Sequence, residues 1–97
     1  MTVQTKAMKV HIYDTHVTTS NGNYYHFDVL VSDEGINRAT EFAQQYIKEL
    51  GLLEAEIDQK KCNFCHSEMA NPTVQDEILH RGYYIIPMQG CPNRLIK

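Results

Sequence analysis

The pattern of apolar and polar residues in the first third of the chain predicts a β-hairpin. From Met8 to Val17 most residues are β-branched or aromatic, and Tyr24 to Val31 alternates between two faces as a half-buried strand does. Between these segments lies Asn21-Gly22, a dipeptide typical of two-residue hairpin turns. The first two strands are therefore expected to pair with each other.

The middle of the chain predicts a helix followed by a third strand. Apolar residues recur every three or four positions from about Ile36 to Leu50, which indicates an amphipathic helix. Gly51 stands where a left-handed residue commonly ends a helix. Alternation of apolar and charged residues then predicts a short strand over about residues 54–60.

The last third predicts a second helix and a final strand. Asn71-Pro72 has the form of a helix N-cap followed by proline in the first turn, and Gly82 is placed to end that helix. Tyr83 to Met88 is rich in aromatic and β-branched residues, and its Pro87 indicates an edge strand or a bulge.

The elements follow the order ββαβαβ, which predicts an α+β fold. We expect a mixed four-stranded sheet with both helices packed on one face. Residues 1–97 should form a single domain, in which residues 1–7 and 92–97 are frayed or irregular.

Composition limits the classes of function. The chain has 97 residues and a formal net charge of -3, which argues against binding to nucleic acid. No apolar run is long enough for a membrane helix, and the first residues do not resemble a signal peptide. We therefore expect a cytoplasmic protein whose thiols are reduced and that does not bind a membrane. The sequence does not indicate a partner.

Candidate chemistry is concentrated in the segment Cys62-Asn-Phe-Cys-His66, which holds two of the three cysteines. If the third and fourth strands are parallel neighbours, their carboxyl ends share one rim of the sheet. Cys62, Cys65 and Cys91 would then meet, with His66 or alternatively His11 as the fourth ligand. Zinc favours closed tetrahedral sites of cysteine and histidine, so the expected cofactor is zinc.

Three other roles for these cysteines compete with zinc binding. The thiols could simply be buried as small apolar groups. They could exchange with disulfides, although the distance from Cys65 to the helix cap at Asn71 weakens that role. Haem attachment also uses this spacing, but it belongs to exported and mostly helical chains, which this chain does not resemble.

The hairpin carries a second candidate site. A two-residue turn would place His11, His26 and Asp28 on one face, opposite a core face that includes Val10 and Phe27. Asp14 and His16 would fall on that core side. A histidine beside a carboxylate can act as an acid-base pair, so these three are the candidate catalytic residues. The alternative is an ordinary polar face turned to water.

Several motifs in one order resemble a small family of bacterial proteins known only as a domain of unknown function. These motifs extend from about Met8 to Cys91 and comprise His11–Thr15, His26–Asp28, Cys62–Ser67, Gly82–Ile86 and Gly90-Cys91. The resemblance implies a compact α+β domain and implies no activity.

Three hypotheses remain open from the sequence. The first is a small zinc-binding module, the second is an enzyme that uses the hairpin face, and the third is a structural or interaction domain without a metal.

Overall fold

The computed structural model describes residues 8–91, which form four strands and two α-helices in the predicted ββαβαβ order. The elements are β1 (Lys9–Thr19), β2 (Tyr24–Val31), α1 (Ala39–Glu49), β3 (Ile57–Met69), α2 (Pro72–Arg81) and β4 (Tyr84–Pro87). The α+β fold class is confirmed. The predicted fraying of residues 1–7 and 92–97 concerns positions outside the described residues. Within the described part of the chain, neither helix has the length and apolar character needed to span a membrane.

The sheet has the strand order β3-β1-β2-β4, and each pair of neighbours is antiparallel. The prediction of a mixed sheet was wrong because β3 and β4 do not pair. β3 lies at one edge beside β1, whereas β4 lies at the other edge beside β2. The α2 connection therefore joins opposite edges of the sheet, and the strands it links run in opposite directions.

The two helices pack against opposite faces of this sheet, not one face as predicted. Val29 of β2 belongs to the apolar cluster under α1, whereas the next residue, Leu30, belongs to the cluster under α2. Successive side chains of a strand point to opposite faces, so the clusters lie on the two sides. The prediction of one face rested on the order of the elements alone. Val10 and Phe27, which were expected in one core, belong to different clusters.

The ends of both helices and the start of α2 agree with the sequence signals, whereas α1 begins at Ala39, after a 3-10 helix over Asp33–Arg38, and not at about Ile36. Gly51 follows α1 with φ +85°, in the left-handed region that glycine enters without steric cost. At the start of α2, the Asn71 side chain accepts a hydrogen bond of 2.9 Å from the backbone N–H of Val74. Gly82 ends α2 with φ +92°. These signals act locally, so they do not depend on the strand topology.

β3 is much longer than predicted and contains the cysteine segment that was expected to form a loop. It pairs with β1 along nearly all of that strand, and the register shifts twice, between Ile12 and Tyr13 and between Thr18 and Thr19. Ile12 faces His66 and Tyr13 faces Phe64, so Cys65 is the extra residue of a β-bulge. The long β1 strand supplies backbone partners for a segment with no strong alternation of its own.

The hairpin turn sets a register that differs by one residue from the predicted register. The backbone N–H of Gly22 donates to the carbonyl of Thr19 at 3.0 Å, and that of Thr19 donates to the carbonyl of Asn23 at 2.9 Å. This is a three-residue loop with Gly22 at φ +91°, a type I turn closed by a glycine bulge. Because strand side chains alternate with a period of two, the shift moves every side chain of one strand to the other face.

Candidate metal centre

The observed register brings four titratable side chains together on the face of the sheet that carries α2. His16 pairs directly with His26, and Asp14 pairs directly with Asp28. All four are half-buried. They lie on the same face as Leu30, since they occupy the same alternate positions along their strands.

The Asp14 carboxylate is the centre of this group. It accepts a hydrogen bond from Nε2 of His26 at 2.5 Å and from Nε2 of His16 at 2.8 Å, one on each oxygen. The two imidazole rings are stacked, with centroids 4.3 Å apart and 13° between their planes. On its far side, Nδ1 of His16 contacts the hydroxyl of Tyr24. Both Nε2 atoms therefore point at a single carboxylate.

The two carboxyl groups titrate in opposite directions. Burial raises the pKa of Asp14, but the hydrogen bonds from His26 and His16 outweigh it and lower the pKa to about 2. Burial is the main cause that raises the pKa of Asp28 to about 6, and the neighbouring Asp14 carboxylate adds to it. Asp14 is therefore a permanent anion near neutral pH, whereas Asp28 changes its charge just below neutrality.

Asp14, His16 and His26 have the composition of a metal site. Their ligand atoms all lie within 4.8 Å of one another, and among residues 8–91 this is the group of three that could hold an ion. Two imidazoles and one carboxylate form a donor set used by zinc and by other first-row transition metals. Their half-exposed position leaves one side open to solvent.

The cysteines predicted to bind zinc are divided between the two edges of the sheet. Cys62 and Cys65 belong to β3 at one edge of the sheet, whereas Cys91 follows β4 at the other edge. All three thiols are free. The Cys91 thiol contacts the backbone carbonyl of His26 at 3.5 Å. The expected meeting of the cysteines depended on parallel third and fourth strands, and that step was wrong.

Among the other predicted ligands of the cysteine site, His66 contacts Cys65, its neighbour in the sequence. Its Nδ1 lies 3.2 Å from Sγ of Cys65, and its Nε2 lies 2.7 Å from a carboxylate oxygen of Glu68. All three side chains are exposed on the open edge strand.

The three candidate catalytic residues of the hairpin do not lie on one face either. His26 and Asp28 lie together, but His11 pairs with Val31 and occupies the opposite face of the sheet. Its ring contacts Ser67 and Asp33 instead. The predicted grouping was wrong because the assumed turn was one residue too short.

Sequence reasoning missed Asp14 and His16, which it assigned to the core side of the hairpin. A signal for them was present in the sequence. An aspartate and a histidine two residues apart occur in both strands, in mirrored order around the turn, as Asp14 with His16 and His26 with Asp28. A three-residue turn pairs histidine with histidine and aspartate with aspartate. That symmetry favours the observed register over the assumed one.

Comparison with known proteins agrees with the resemblance seen in the motifs. A family model described as a domain of unknown function, DUF2024, matches residues 8–88. The chain belongs to this family. The DUF2024 match includes Asp14, His16, His26 and Asp28, so the candidate metal centre lies within the family domain. No match was found among curated proteins.

The DUF2024 chain is also similar to a solved structure. This is the NMR structure of protein NE1680 from Nitrosomonas europaea, a target of the Northeast Structural Genomics Consortium. The two are 38% identical in sequence and have a TM-score of 0.70, over 88% of this chain and 100% of the other.

Proposed function

We propose that this DUF2024 protein is a metal-binding module that holds a divalent transition ion, with zinc the preferred one, through Asp14, His16 and His26. The observation that carries the proposal is the convergence of their ligand atoms within 4.8 Å of one another. A tetrahedral zinc ion with bonds of about 2.0–2.1 Å separates its ligands by roughly 3.3 Å. Small side-chain movements would therefore close the group around an ion.

The hydrogen bonds of the site suit such an ion. Each Nε2 atom now directs a proton at the Asp14 carboxylate, and a cation between them would replace both protons. To bind the ion through Nε2, a neutral His16 would carry its single ring proton on Nδ1, where it can donate to the Tyr24 oxygen. A partner of this kind fixes the orientation and tautomer of a ligating imidazole.

Three protein ligands leave a tetrahedral ion with an open position. Structural zinc sites are usually closed by four side chains, whereas catalytic sites keep one position for water or substrate. Asp28 is the cross-strand partner of Asp14, and its Oδ1 atom is buried without a hydrogen-bond partner in the described part of the chain. A water molecule or small ligand on the ion could supply that partner. The donor set therefore favours an accessible ion over a purely structural one.

Zinc titration of the purified, untagged protein by calorimetry tests the proposal. We expect about one equivalent of zinc to bind, and His26→Ala or His16→Ala should weaken binding by at least about 10-fold. His80→Ala is the matched control, because His80 is exposed on α2 and its Nδ1 contacts Asp76 of the same helix.

A second variant distinguishes this site from the cysteine site. With Cys62, Cys65 and Cys91 all replaced by serine, the affinity for zinc should be unchanged. If zinc binding is lost in the serine variant and retained in the two histidine variants, the ion belongs to the thiols and the proposal is wrong.

A further inference from the structure

A second chain of polar contacts lies on the face of the sheet opposite the candidate metal centre. Nδ1 of His11 lies 2.8 Å from the hydroxyl of Ser67, and Nε2 of the same ring lies 2.7 Å from Oδ1 of Asp33. The order serine, histidine, aspartate is the arrangement of a nucleophile, its general base and the carboxylate that orients the base. None of these contacts involves the candidate metal ligands.

Three separate elements hold this arrangement. His11 is in β1, Ser67 is its direct cross-strand partner in β3, and Asp33 begins the short 3-10 helix that follows β2. The imidazole is mostly buried, with 12% of its side chain exposed, whereas Asp33 is 77% exposed. The sheet register therefore fixes the serine against the ring, and the aspartate is the solvent-exposed member.

The contacts also determine the tautomer. A carboxylate can only accept, so Nε2 of His11 carries the proton that it donates to Asp33. In the neutral ring, Nδ1 then has a lone pair and accepts the hydrogen bond from the Ser67 hydroxyl. This is the protonation state in which an imidazole can remove the proton of a serine.

We propose that Ser67 is a nucleophile for acyl transfer, with His11 as its general base and Asp33 as a positioning residue. Ser67 Oγ would attack the carbonyl carbon of an ester while its proton passes to Nδ1 of His11. The bond to the leaving alkoxide then breaks, and His11 returns the proton to that oxygen. Water, activated by the same nitrogen, releases the carboxylic acid from the acyl-serine.

The surface beside Ser67 indicates the class of ester. Phe64 lies on the same strand and is 56% exposed, which is high for so large an apolar side chain. Its ring packs edge-on against Tyr13 at 5.7 Å and lies 6.5 Å from the ring of His11. This aromatic surface would bury an apolar acyl group next to the hydroxyl, so we expect apolar acyl esters to react best.

A fluorophosphonate probe, which phosphonylates activated serines, tests the proposal on the whole protein. Peptide mass spectrometry should place the label on Ser67, with a rate at least about 100-fold above that of Ser20 or Ser32. Ser67→Ala should abolish the fast phase. Ser32→Ala is the matched control, because Ser32 adjoins Asp33 in sequence but its hydroxyl donates to Glu34.

Two further variants separate a catalytic role from a structural role. His11→Ala should remove the fast labelling of Ser67. Added imidazole should restore part of the labelling rate, and such a recovery would not occur if the variant had lost its fold. Asp33→Asn should slow labelling by at least about 10-fold, whereas Asp33→Glu should retain most of the rate, since only the latter keeps an acceptor for Nε2–H. The far-ultraviolet circular dichroism of each variant should match that of the parent.

The proposed role of Ser67 does not depend on the proposed metal site. Labelling of Ser67 should therefore be unchanged by a chelator and by His26→Ala. Labelling spread evenly over the serines, or a fast phase that persists in Ser67→Ala, would overturn the proposal. A His11→Ala protein that keeps its labelling rate would also overturn it.

Discussion

His16 and His26 stack across the hairpin with their ring centroids 4.3 Å apart, and both direct Nε2 at the carboxylate of Asp14. The stacking places the two Nε2 atoms side by side, and the Asp14 carboxylate offers one oxygen to each of them. Three donor groups that converge in this way form a candidate site for a single divalent cation.

Zinc should stabilise the protein through this group. An ion that binds only the folded state adds about 2.7 kcal/mol to the free energy of unfolding at 100 times its dissociation constant. We expect thermal unfolding to shift upward with added zinc and to return on addition of a chelator. His26→Ala should lose most of this shift, whereas His80→Ala should keep it. An equal shift in both variants would place the ion elsewhere.

The free energy of unfolding should depend on pH through Asp28. Its pKa is raised to about 6 in the folded protein from an ordinary value of 3.8, so the folded state binds more protons between these values. Stability should therefore fall as the pH rises from about 4 to 6. Asp28→Asn should remove this loss and stabilise the metal-free protein at pH 7, on the order of 1 kcal/mol after allowance for partial exposure.

Asp14→Asn is the matched variant for that experiment and should act in the opposite direction. The pKa of Asp14 is lowered to about 2 in the folded state, so its contribution is present at neutral pH and is lost as the pH falls below about 4. We expect this variant to be less stable at pH 7 and to lose less stability on acidification. Urea denaturation in the presence of a chelator measures both effects. Identical pH profiles for the two variants would contradict the assignment.

Local signals in the sequence predicted the elements, whereas their assembly depended on non-local pairing. The cap of Asn71 and the helix end at Gly82 act through their immediate neighbours, and both were predicted correctly. The partner of β3 was not predictable in this way, because Cys62 to His66 has no periodicity that reveals a strand. Its pairing is determined by the long free edge of β1.

The candidate metal centre was missed because the sequence did not reveal the length of the hairpin loop. His26 and Asp28 were recognised from their residue types, but Asp14 and His16 were assigned to the opposite face. A difference of one residue in the loop reverses that assignment, since strand side chains alternate with a period of two. Asn-Gly indicates a turn in either case, and the choice between the two loop lengths depends on packing across the whole sheet.

Phe27 should be among the most important side chains for stability. It is fully buried under α1, and its ring packs edge-on against Tyr46 with centroids 4.7 Å apart. Phe27→Ala removes these contacts and leaves a cavity, which should cost about 3–5 kcal/mol in urea denaturation. Leu79→Ala is the control, because Leu79 is 74% exposed on α2, and it should change stability by less than about 0.5 kcal/mol.

Gly22 should determine the register that forms the metal centre. It has φ +91°, and nothing lies within 4 Å of a Cβ placed on it, so a side chain there meets only the backbone cost of the left-handed region. Gly22→Ala should therefore destabilise the protein by about 1–2 kcal/mol. Gly22→Asn should cost less, because asparagine tolerates this conformation. If denaturation ranks alanine above asparagine in stability, the glycine bulge does not close this hairpin, and the pairing of His16 with His26 would need another cause.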